Sequence, residues 1–404
     1  MQSTERSWPA GMAAIVVCGC LIAMLTFGAR AAFGLYLEPI SAARGWGREI
    51  FSVSIGIQNI LWGIGQPIAG ALADRWSARR VLIGGALVYA AGLALVPFST
   101  TPFMLHLTLG VLIGIGGAGA SFGLVMAAVG RMVSDERRSW ALGIIVASSS
   151  LGQFLLSFVN QGFIMAFGWG AALMLMGGLV LLVIPLSLPY RAEAGSGSAV
   201  AQTLGQALKE AGGHRSYVLL TVGFFVCGYH VAFIQTHLPA YIKDAGVAPW
   251  VGAAAIAVVG LFNIVGSYGV GVLGGRYSKK NILCLIYLGR AVVIGLFVLT
   301  PPTALTTLLF AAAMGVLWLS TVPPTSGLIA VMFGPRYMAT LFGVVFLSHQ
   351  MGALAGVWLG GWWFDGTGSY LPIWWTMIAM AVFAAVVHWP IEEKPVARLQ
   401  AAKA

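Results

Sequence analysis

Twelve apolar segments, each about 20 residues or longer, divide this 404-residue chain from end to end. A helix of that length spans the hydrocarbon core of a bilayer. Only 8% of the residues are charged, against about 25% in ordinary soluble domains. The sequence therefore predicts an all-α membrane protein with twelve transmembrane helices, near residues 11–38, 49–73, 80–99, 102–130, 138–163, 168–189, 216–241, 250–274, 281–300, 304–332, 338–363 and 371–390.

One sequence pattern occurs twice, about 200 residues apart, which indicates a repeated unit half as long as the chain. In the first segment, Gly28-Ala-Arg30-Ala-Ala-Phe33 matches Gly228-Tyr-His230-Val-Ala-Phe233 in the seventh. Residues 70–77 match 271–278, and residues 142–152 match 342–352. The twelve helices are therefore predicted to form two six-helix repeats.

The one long polar connection, at residues 191–215, contains Ala-Gly-Ser-Gly-Ser and is typical of a flexible linker. It separates a predicted N-terminal six-helix half, residues 1–190, from a C-terminal half, residues 216–404. Of the 22 Lys and Arg residues, 17 fall on the side that holds both termini and the linker, three on the other side, and two within spans. Because basic loops stay in the cytoplasm, we predict cytoplasmic termini and linker, in a bacterial-type inner (plasma) membrane.

The net charge of +10 does not indicate nucleic-acid binding, because the basic residues are spread over short loops. All four cysteines lie within apolar segments and predict neither a disulfide nor a metal site. We find no nucleotide-binding loop, metal cluster or nucleophile–base pair in the sequence. A membrane enzyme or sensor is therefore disfavoured, no cofactor is expected, and we predict a monomer surrounded by membrane lipids.

Arg30 is the single charge in the apolar run from residue 12 to residue 37, which contains no carboxylate. An arginine in hydrocarbon costs at least ~2.5–3.5 kcal/mol, so it faces a wet cavity, a partner or a ligand. All twelve carboxylates fall in loops or near the ends of spans. Because a guanidinium binds a carboxylate bidentately, Arg30 predicts an anionic ligand.

Other polar side chains at mid-depth are candidate ligands of the same substrate, although each can also serve packing between helices. A histidine in a wet cavity can in addition carry a proton. The predicted substrate-binding residues are Arg30, Asn59, His230, Asn263, His349 and Gln350. For Arg290, in the ninth span, a structural partner such as backbone carbonyls of the next helix is favoured over substrate. Pro323-Pro324 predicts an interruption of the tenth span.

The loop after the second span, Gly70-Ala-Leu-Ala-Asp74-Arg75-Trp-Ser-Ala-Arg79-Arg80, resembles the cytoplasmic loop motif of the major facilitator superfamily. That resemblance, with a weaker copy at residues 271–280, implies the major facilitator fold. An acid at a helix end can bind the N-terminal dipole of a neighbouring helix and hold the cytoplasmic side shut. Asp74, Arg75 and Arg79 are therefore predicted to form a cytoplasmic gate.

Within the superfamily, Arg30 followed by Phe-Gly-Leu-Tyr-Leu-Glu38-Pro39 resembles the monocarboxylate transporter and oxalate:formate exchanger branch. In monocarboxylate transporters a lysine stands at the position of Arg30. The resemblance implies a secondary active transporter of a small, monocarboxylate-like organic anion that works by alternating access. Proton symport is expected, because a co-transported proton cancels the electrical cost of importing an anion. The alternative is uptake of a neutral or aromatic nutrient such as a riboflavin-like vitamin.

Overall fold

The structure is a computed structural model that describes residues 10–133, 135–190, 204–334, 338–397 and 399. Every regular element in these residues is a helix. In the N-terminal half they are α1 (Ala10–Ala31), α2 (Gly34–Arg44), α3 (Arg48–Arg75), α4 (Ala78–Leu95), a 3-10 turn (Val96–Phe98), α5 (Pro102–Leu105), a π-helical stretch (His106–Leu112), α6 (Ile113–Gly119), α7 (Phe122–Met132), α8 (Asp135–Leu181) and α9 (Val183–Leu186).

The helices that follow begin within the predicted linker and continue through the C-terminal half. They are α10 (Leu204–Gly212), α11 (Arg215–Asp244), α12 (Pro249–Leu273), α13 (Lys279–Val298), α14 (Ala304–Leu317), α15 (Val322–Phe333), α16 (Met338–Thr367) and α17 (Leu371–His388). Residues 191–203 of the predicted linker lie outside the described residues, and Leu204–Gly212 is helical. The division into two domains at these residues stays a prediction, and below the N-terminal half means residues 10–190 and the C-terminal half residues 204–399.

Ten helical stretches in the described residues are long and apolar enough to cross a membrane. One of them, Trp140–Leu186, covers two predicted spans and bends at Gly168, whose φ of 79° and ψ of 164° are not helical. Helix α3 has 28 residues and is not among the ten, because Gln58 and Asn59 lower its hydropathy. The chain is therefore a multi-helix membrane fold, and the count of twelve stays a prediction.

Four of the predicted spans are broken in the described part of the bundle, one of them, the sixth, near its end at Leu182 between α8 and α9. The first is interrupted at Ala32–Phe33, between α1 and α2, directly after Arg30. The fourth breaks at Ala120–Ser121, between α6 and α7. The predicted interruption of the tenth is confirmed, since α14 ends at Leu317 and α15 begins at Val322. Broken helices at membrane depth often line the cavities of transporters, because their free backbone groups can bind a ligand or a side chain.

Glycines bring the first helix of each repeat against its partner. A Cβ on Gly28 of α1 would overlap the backbone of Gly152 in α8. In the second half, a Cβ on Gly228 of α11 would overlap the His349 carbonyl of α16, and one on Gly352 would overlap that of Phe225. The same close crossing thus occurs in both halves, as the repeated pattern requires.

The buried apolar residues form two cores. One is built mainly from residues 16–190, and the other from residues 211–396. Between them, α3 packs against α16, α2 against α11, and α8 against α12. The loops after Arg44, Val298 and Thr367 lie at one end of the bundle, which we call the outer end because the predicted orientation places it outside.

Candidate substrate site

A small pocket of about 10 Å³, room for about one water molecule, lies where helices of the two halves meet. It combines residues from the broken first span, from the middle of α3 and from the seventh span, α11. Its lining residues are Arg30, Phe33, Gly34, Ile55, Gln58, Asn59, Ala232, Gln235 and Thr236. Two predicted ligands, Arg30 and Asn59, therefore share one pocket, while the other four predicted ligands do not line it.

Arg30 lies in the last turn of α1, just before the chain breaks at Ala32–Phe33. Its Nη2 donates a hydrogen bond to Oδ1 of Asn59. The amide of Asn59 is itself oriented, because its Nδ2 donates to the carbonyl of Ile55 at 2.9 Å. The guanidinium carbon lies 4.2 Å from the centre of the Trp62 ring, a cation–π distance. Helix α3 thus holds the guanidinium with one neutral amide and one aromatic face.

The charge of Arg30 is not neutralised by any described residue, and one of its donors is unpaired. Its Nε is buried without a hydrogen-bond partner, and no carboxylate in the described part of the chain pairs with its charge. A buried, unpaired donor on a charged group is costly. The arrangement leaves the guanidinium able to bind a carboxylate that enters the pocket.

The opposite wall of the pocket comes from α11 and was not predicted. Gln235 and Thr236 line it, and both residues are buried. The sequence did contain a signal: at the matching positions of the first repeat stand the apolar or aromatic residues Leu35 and Tyr36. Where one copy of a repeat has polar side chains and the other has apolar or aromatic ones, the polar residues have a role specific to that copy. Gln58, from α3, completes the polar lining and donates to the Leu109 carbonyl at 3.3 Å.

His230, the repeat partner of Arg30, lies away from the pocket. It is fully buried, and its Nε2 donates to the carbonyl of Met377 in α17 at 2.9 Å. Its Nδ1 has no partner among the described residues. The structure therefore places His230 between α11 and α17, inside the C-terminal half.

His349 and Gln350 lie next to each other on α16, with 3.2 Å between Nδ1 of His349 and Oε1 of Gln350. The imidazole of His349 stacks on the Phe346 ring, with centroids 5.5 Å apart and an interplanar angle of 12°. Gln350 packs against Gly63 of α3. The pair thus contributes to the contact between α16 and α3, close to Trp62, which also contacts Phe346.

Asn263 makes three hydrogen bonds to protein groups. Its Nδ2 donates to Oγ of Ser150 in α8 at 2.9 Å. Its Oδ1 accepts from the backbone N–H of Leu319 and from the hydroxyl of Ser267, each at 3.0 Å. The side chain therefore connects the two halves and satisfies a free N–H at the break of the tenth span.

Arg290 is fully buried in α13 and binds the end of α14. Its Nε and Nη2 donate to the Leu317 carbonyl at 3.2 and 2.8 Å, and Nη2 also donates to the Trp318 carbonyl. Nη2 lies 3.6 Å from Sγ of Cys227. These carbonyls are the unpaired acceptors at a helix C-terminus, where a positive charge is favoured. The contacts match the structural partner that the sequence favoured.

The predicted cytoplasmic gate is described only in part. The side chain of Asp74 lies outside the described residues. Arg75 is exposed at the end of α3, and Arg79 is half-buried in the first turn of α4. Oγ of Ser77 accepts from the backbone N–H of Arg80 at 3.3 Å and so caps α4. The gating role stays a prediction.

The comparison with protein families decides the class. The model of the Major Facilitator Superfamily matches residues 19–356. The chain belongs to the major facilitator superfamily. Its members are transporters, so this chain is a multi-pass membrane transporter and not an enzyme.

Two relatives of this superfamily member extend over most of its length. "Uncharacterized MFS-type transporter YcxA" of Bacillus subtilis (strain 168) is 28% identical over 372 residues, which are 89% of this chain and 90% of that protein. "Monocarboxylate transporter 13" of Bos taurus is 26% identical over 375 residues, 88% of this chain and 83% of that protein. The resemblance to monocarboxylate transporters is thus found across the chain.

Solved structures support the fold. The D-xylose-proton symporter has a TM-score of 0.75 at 15% identity and covers 96% of this chain and 100% of its own. A mutant of the nucleoside transporter NupG has a TM-score of 0.76 at 14% identity and covers 93% of this chain and 99% of its own. At such identities the likeness shows the major facilitator fold alone, which confirms the predicted fold class.

Proposed function

We propose that this transporter imports a small, monocarboxylate-like organic anion across the inner membrane by alternating access, with both termini in the cytoplasm and as a monomer. The main support for this proposal is Arg30. This cation lines a pocket between the halves, and its Nε has no hydrogen-bond partner among the described residues. The relatives named monocarboxylate transporter support the same substrate class.

The chemistry of the pocket fits a carboxylate bound at Arg30, with Asn59 holding the guanidinium in place. Phe33 and Ile55 supply an apolar surface for a short carbon skeleton. Gln58, Gln235 and Thr236 offer hydrogen bonds from both halves. Because the substrate would contact α3 and α11 together, its binding would favour the state in which the halves close around it.

The vitamin alternative finds less support. The pocket has room for about one water molecule, so it must widen for any substrate, and much more for a three-ring molecule than for a short monocarboxylate. A three-ring neutral molecule would also leave the charge of Arg30 unpaired. The aromatic contact of Trp62 is made to Arg30 itself, and so it supports the cation rather than an aromatic substrate.

We also propose proton symport, and the argument for it is the membrane potential. Importing an anion against a negative interior costs about 2.3 kcal/mol per charge at 100 mV, and one co-transported proton removes that cost. His230 and His349, the two histidines at depth, do not line the pocket, so neither is assigned the coupling proton. Uptake is therefore expected to rise as the external pH falls.

Purified protein in liposomes, assayed with a panel of radiolabelled short monocarboxylates and a riboflavin-like compound, tests the proposal. We expect uptake of at least one monocarboxylate, insensitive to an imposed potential and reduced at least about 100-fold in Arg30→Ala, which equals about 2.7 kcal/mol. Arg44→Ala is the matched control, because Arg44 binds the Pro97 carbonyl outside the pocket. Uptake of the vitamin alone, or equal losses in both variants, would overturn the assignment.

A further inference from the structure

A cluster at the outer end joins the two halves. It contains Arg48 from the start of α3 in the N-terminal half, and Asp244, Asp365 and Tyr370 from the C-terminal half. We call these four residues the outer clasp. In the sequence these residues lie in loops or near the ends of spans, and nothing in their spacing shows that they meet.

Arg48 is the centre of the clasp. Its Nη1 donates to Oδ2 of Asp244 at 2.6 Å, and its Nη2 donates to Oδ1 at 2.8 Å, a bidentate pair. Nη1 also donates to the hydroxyl of Tyr370 at 2.8 Å. The guanidinium carbon lies 3.8 Å from the ring centre of Phe364. The side chain of Arg48 is only 10% exposed, so solvent screens this pair less than an ordinary surface pair.

Asp365 adds a second connection, through the backbone. Its Oδ1 accepts from the N–H of Arg48 and its Oδ2 from the N–H of Glu49, both at 2.8 Å. These are the first free donors of α3, and the N-cap residue of that helix, Gly47, supplies no side-chain cap. A Cβ on Gly47 would overlap the Asp365 carboxylate. The C-terminal half therefore caps a helix of the N-terminal half, and a glycine makes room for it.

The clasp continues inward towards the pocket. Nδ1 of the fully buried His237 lies 2.9 Å from the hydroxyl of Tyr370, and its Nε2 lies 2.9 Å from the Val357 carbonyl and 3.3 Å from Oγ of Ser52. With the proton on Nε2, Tyr370 donates to Nδ1 and accepts from Arg48, so every group is paired. His237 follows Thr236, a pocket residue, directly in sequence. The hydrogen-bond network thus extends from the outer surface to His237, whose neighbour in sequence lines the pocket.

We propose that the outer clasp is the outer gate of the transporter. Every bond from Arg48 and Glu49 to Asp244, Asp365 or Tyr370 crosses between the halves, so separation of the halves at this end breaks them together. The closed clasp seals the pocket on the outer side, and opening it exposes Arg30 to an anion outside. This inference rests on transport by alternating access between the halves, and not on the identity of the substrate.

A neighbouring ion pair provides the control. Nζ of Lys243 lies 2.6 Å from Oε2 of Glu38, and it also joins the halves at the outer end. The side chains are 47% and 28% exposed, so solvent screens their attraction. Lys243 adjoins Asp244 in sequence but makes no contact within the clasp among the described bonds. Its removal changes the net charge at the same place without breaking the gate.

The test measures access to the pocket from outside. A reporter cysteine replaces Ala232, which lines the pocket and carries no polar side chain. A membrane-impermeant maleimide is added to the outer side of right-side-out vesicles, and the same chains without the added cysteine give the background from the four native cysteines. We expect labelling at least tenfold faster in Arg48→Ala and in Asp365→Asn than in the parent chain, and within about twofold of the parent in Lys243→Ala.

A variant in which the two charges are exchanged controls for misfolding of the single variants. The double variant Arg48→Asp with Asp244→Arg restores an ion pair, and it is expected to label more slowly than either single variant. Asp365→Asn keeps the shape of the side chain and serves the same purpose. Labelling at the parent rate in both Arg48→Ala and Asp365→Asn would overturn the gate, as would equal acceleration in Lys243→Ala. Because no substrate enters the assay, this result is independent of the proposed substrate.

Discussion

Two arginines within the predicted spans, the half-buried Arg30 and the fully buried Arg290, are held by the protein in different ways. Arg290 directs its Nε and Nη2 to the carbonyls that end α14, while its Nη1 has no hydrogen-bond partner among the described residues. Arg30 has one amide partner and an aromatic face, and its Nε, beside the pocket, has no partner in the part of the chain that the structure describes. The comparison teaches that an unpaired donor alone does not indicate a ligand: Arg30 lines a pocket that a ligand can enter, whereas Arg290 does not line it.

The comparison predicts that losing each charge has a different consequence. Arg290→Met leaves the carbonyls of Leu317 and Trp318 without donors, at about 1–3 kcal/mol for each buried group. We expect the Tm of the purified protein to fall by about 5 °C or more. Arg30→Met removes no satisfied backbone contact, so its Tm should stay within about 2 °C of the parent. Thermal unfolding of the purified variants in detergent measures both Tm values. A larger fall in Tm for Arg30→Met than for Arg290→Met would contradict the comparison.

Lysine substitution sharpens the same contrast. Arg30→Lys keeps the charge but loses the planar fork, so we expect kcat/KM for the anion to fall about tenfold rather than to vanish. Uptake kinetics measure this, with Arg30→Gln as the uncharged control of similar length. Equal kcat/KM for the lysine and glutamine variants would show that charge at Arg30 is not what the substrate recognises.

Gln235 and Thr236 test whether the substrate bridges the halves. Each neutral hydrogen bond to the substrate is worth about 0.5–1.5 kcal/mol, so the double variant Gln235→Ala, Thr236→Val, which removes two, should raise KM at least about fivefold. Gln153→Ala is a control of the same residue type, because its Nε2 donates to the Ile256 carbonyl away from the pocket. An unchanged KM in the pocket variant would place the substrate on the N-terminal half alone.

We expect substitution of His230 or His349 to change uptake least. Each is held by protein groups away from the pocket, so His230→Gln and His349→Gln should leave the rise of uptake at low external pH in place, with initial rates within about threefold of the parent. Uptake between about pH 5.5 and pH 8 in liposomes measures it, a range that brackets the ordinary histidine pKa. Loss of the pH dependence in one variant would assign the coupling proton to that histidine.

Much of this molecule was predictable from the sequence, because membrane spans and repeats depend on patterns along the chain. The apolar runs gave the fold class, Arg30 was identified by its isolation, and Pro323-Pro324 predicted the broken tenth span, which the structure confirms. Of the two asparagines predicted as substrate ligands, Asn59 lines the pocket with Arg30, whereas Asn263 binds Ser150 and the backbone of Leu319.

The outer clasp and the α11 wall of the pocket could not be predicted in this way. Arg48 and Asp365 are separated by most of the chain, and their contact depends on the tilt and rotation of α3 against α16. A hydrophobic pattern fixes which face of a helix is buried but not which residue of a distant helix it meets. Polar residues such as Gln235 were visible in the sequence, but their convergence on Arg30 required the packed helices.

Equilibrium binding to the purified protein tests the central claim most directly, since it separates substrate recognition from the transport cycle. The ligand is the monocarboxylate that gives the highest uptake, titrated into the parent, Arg30→Ala and Arg44→Ala. We predict that Kd rises at least about 100-fold in Arg30→Ala, a loss of about 2.7 kcal/mol, and stays within about twofold in Arg44→Ala. An unchanged Kd in correctly folded Arg30→Ala would contradict the assignment of Arg30 as the anion site.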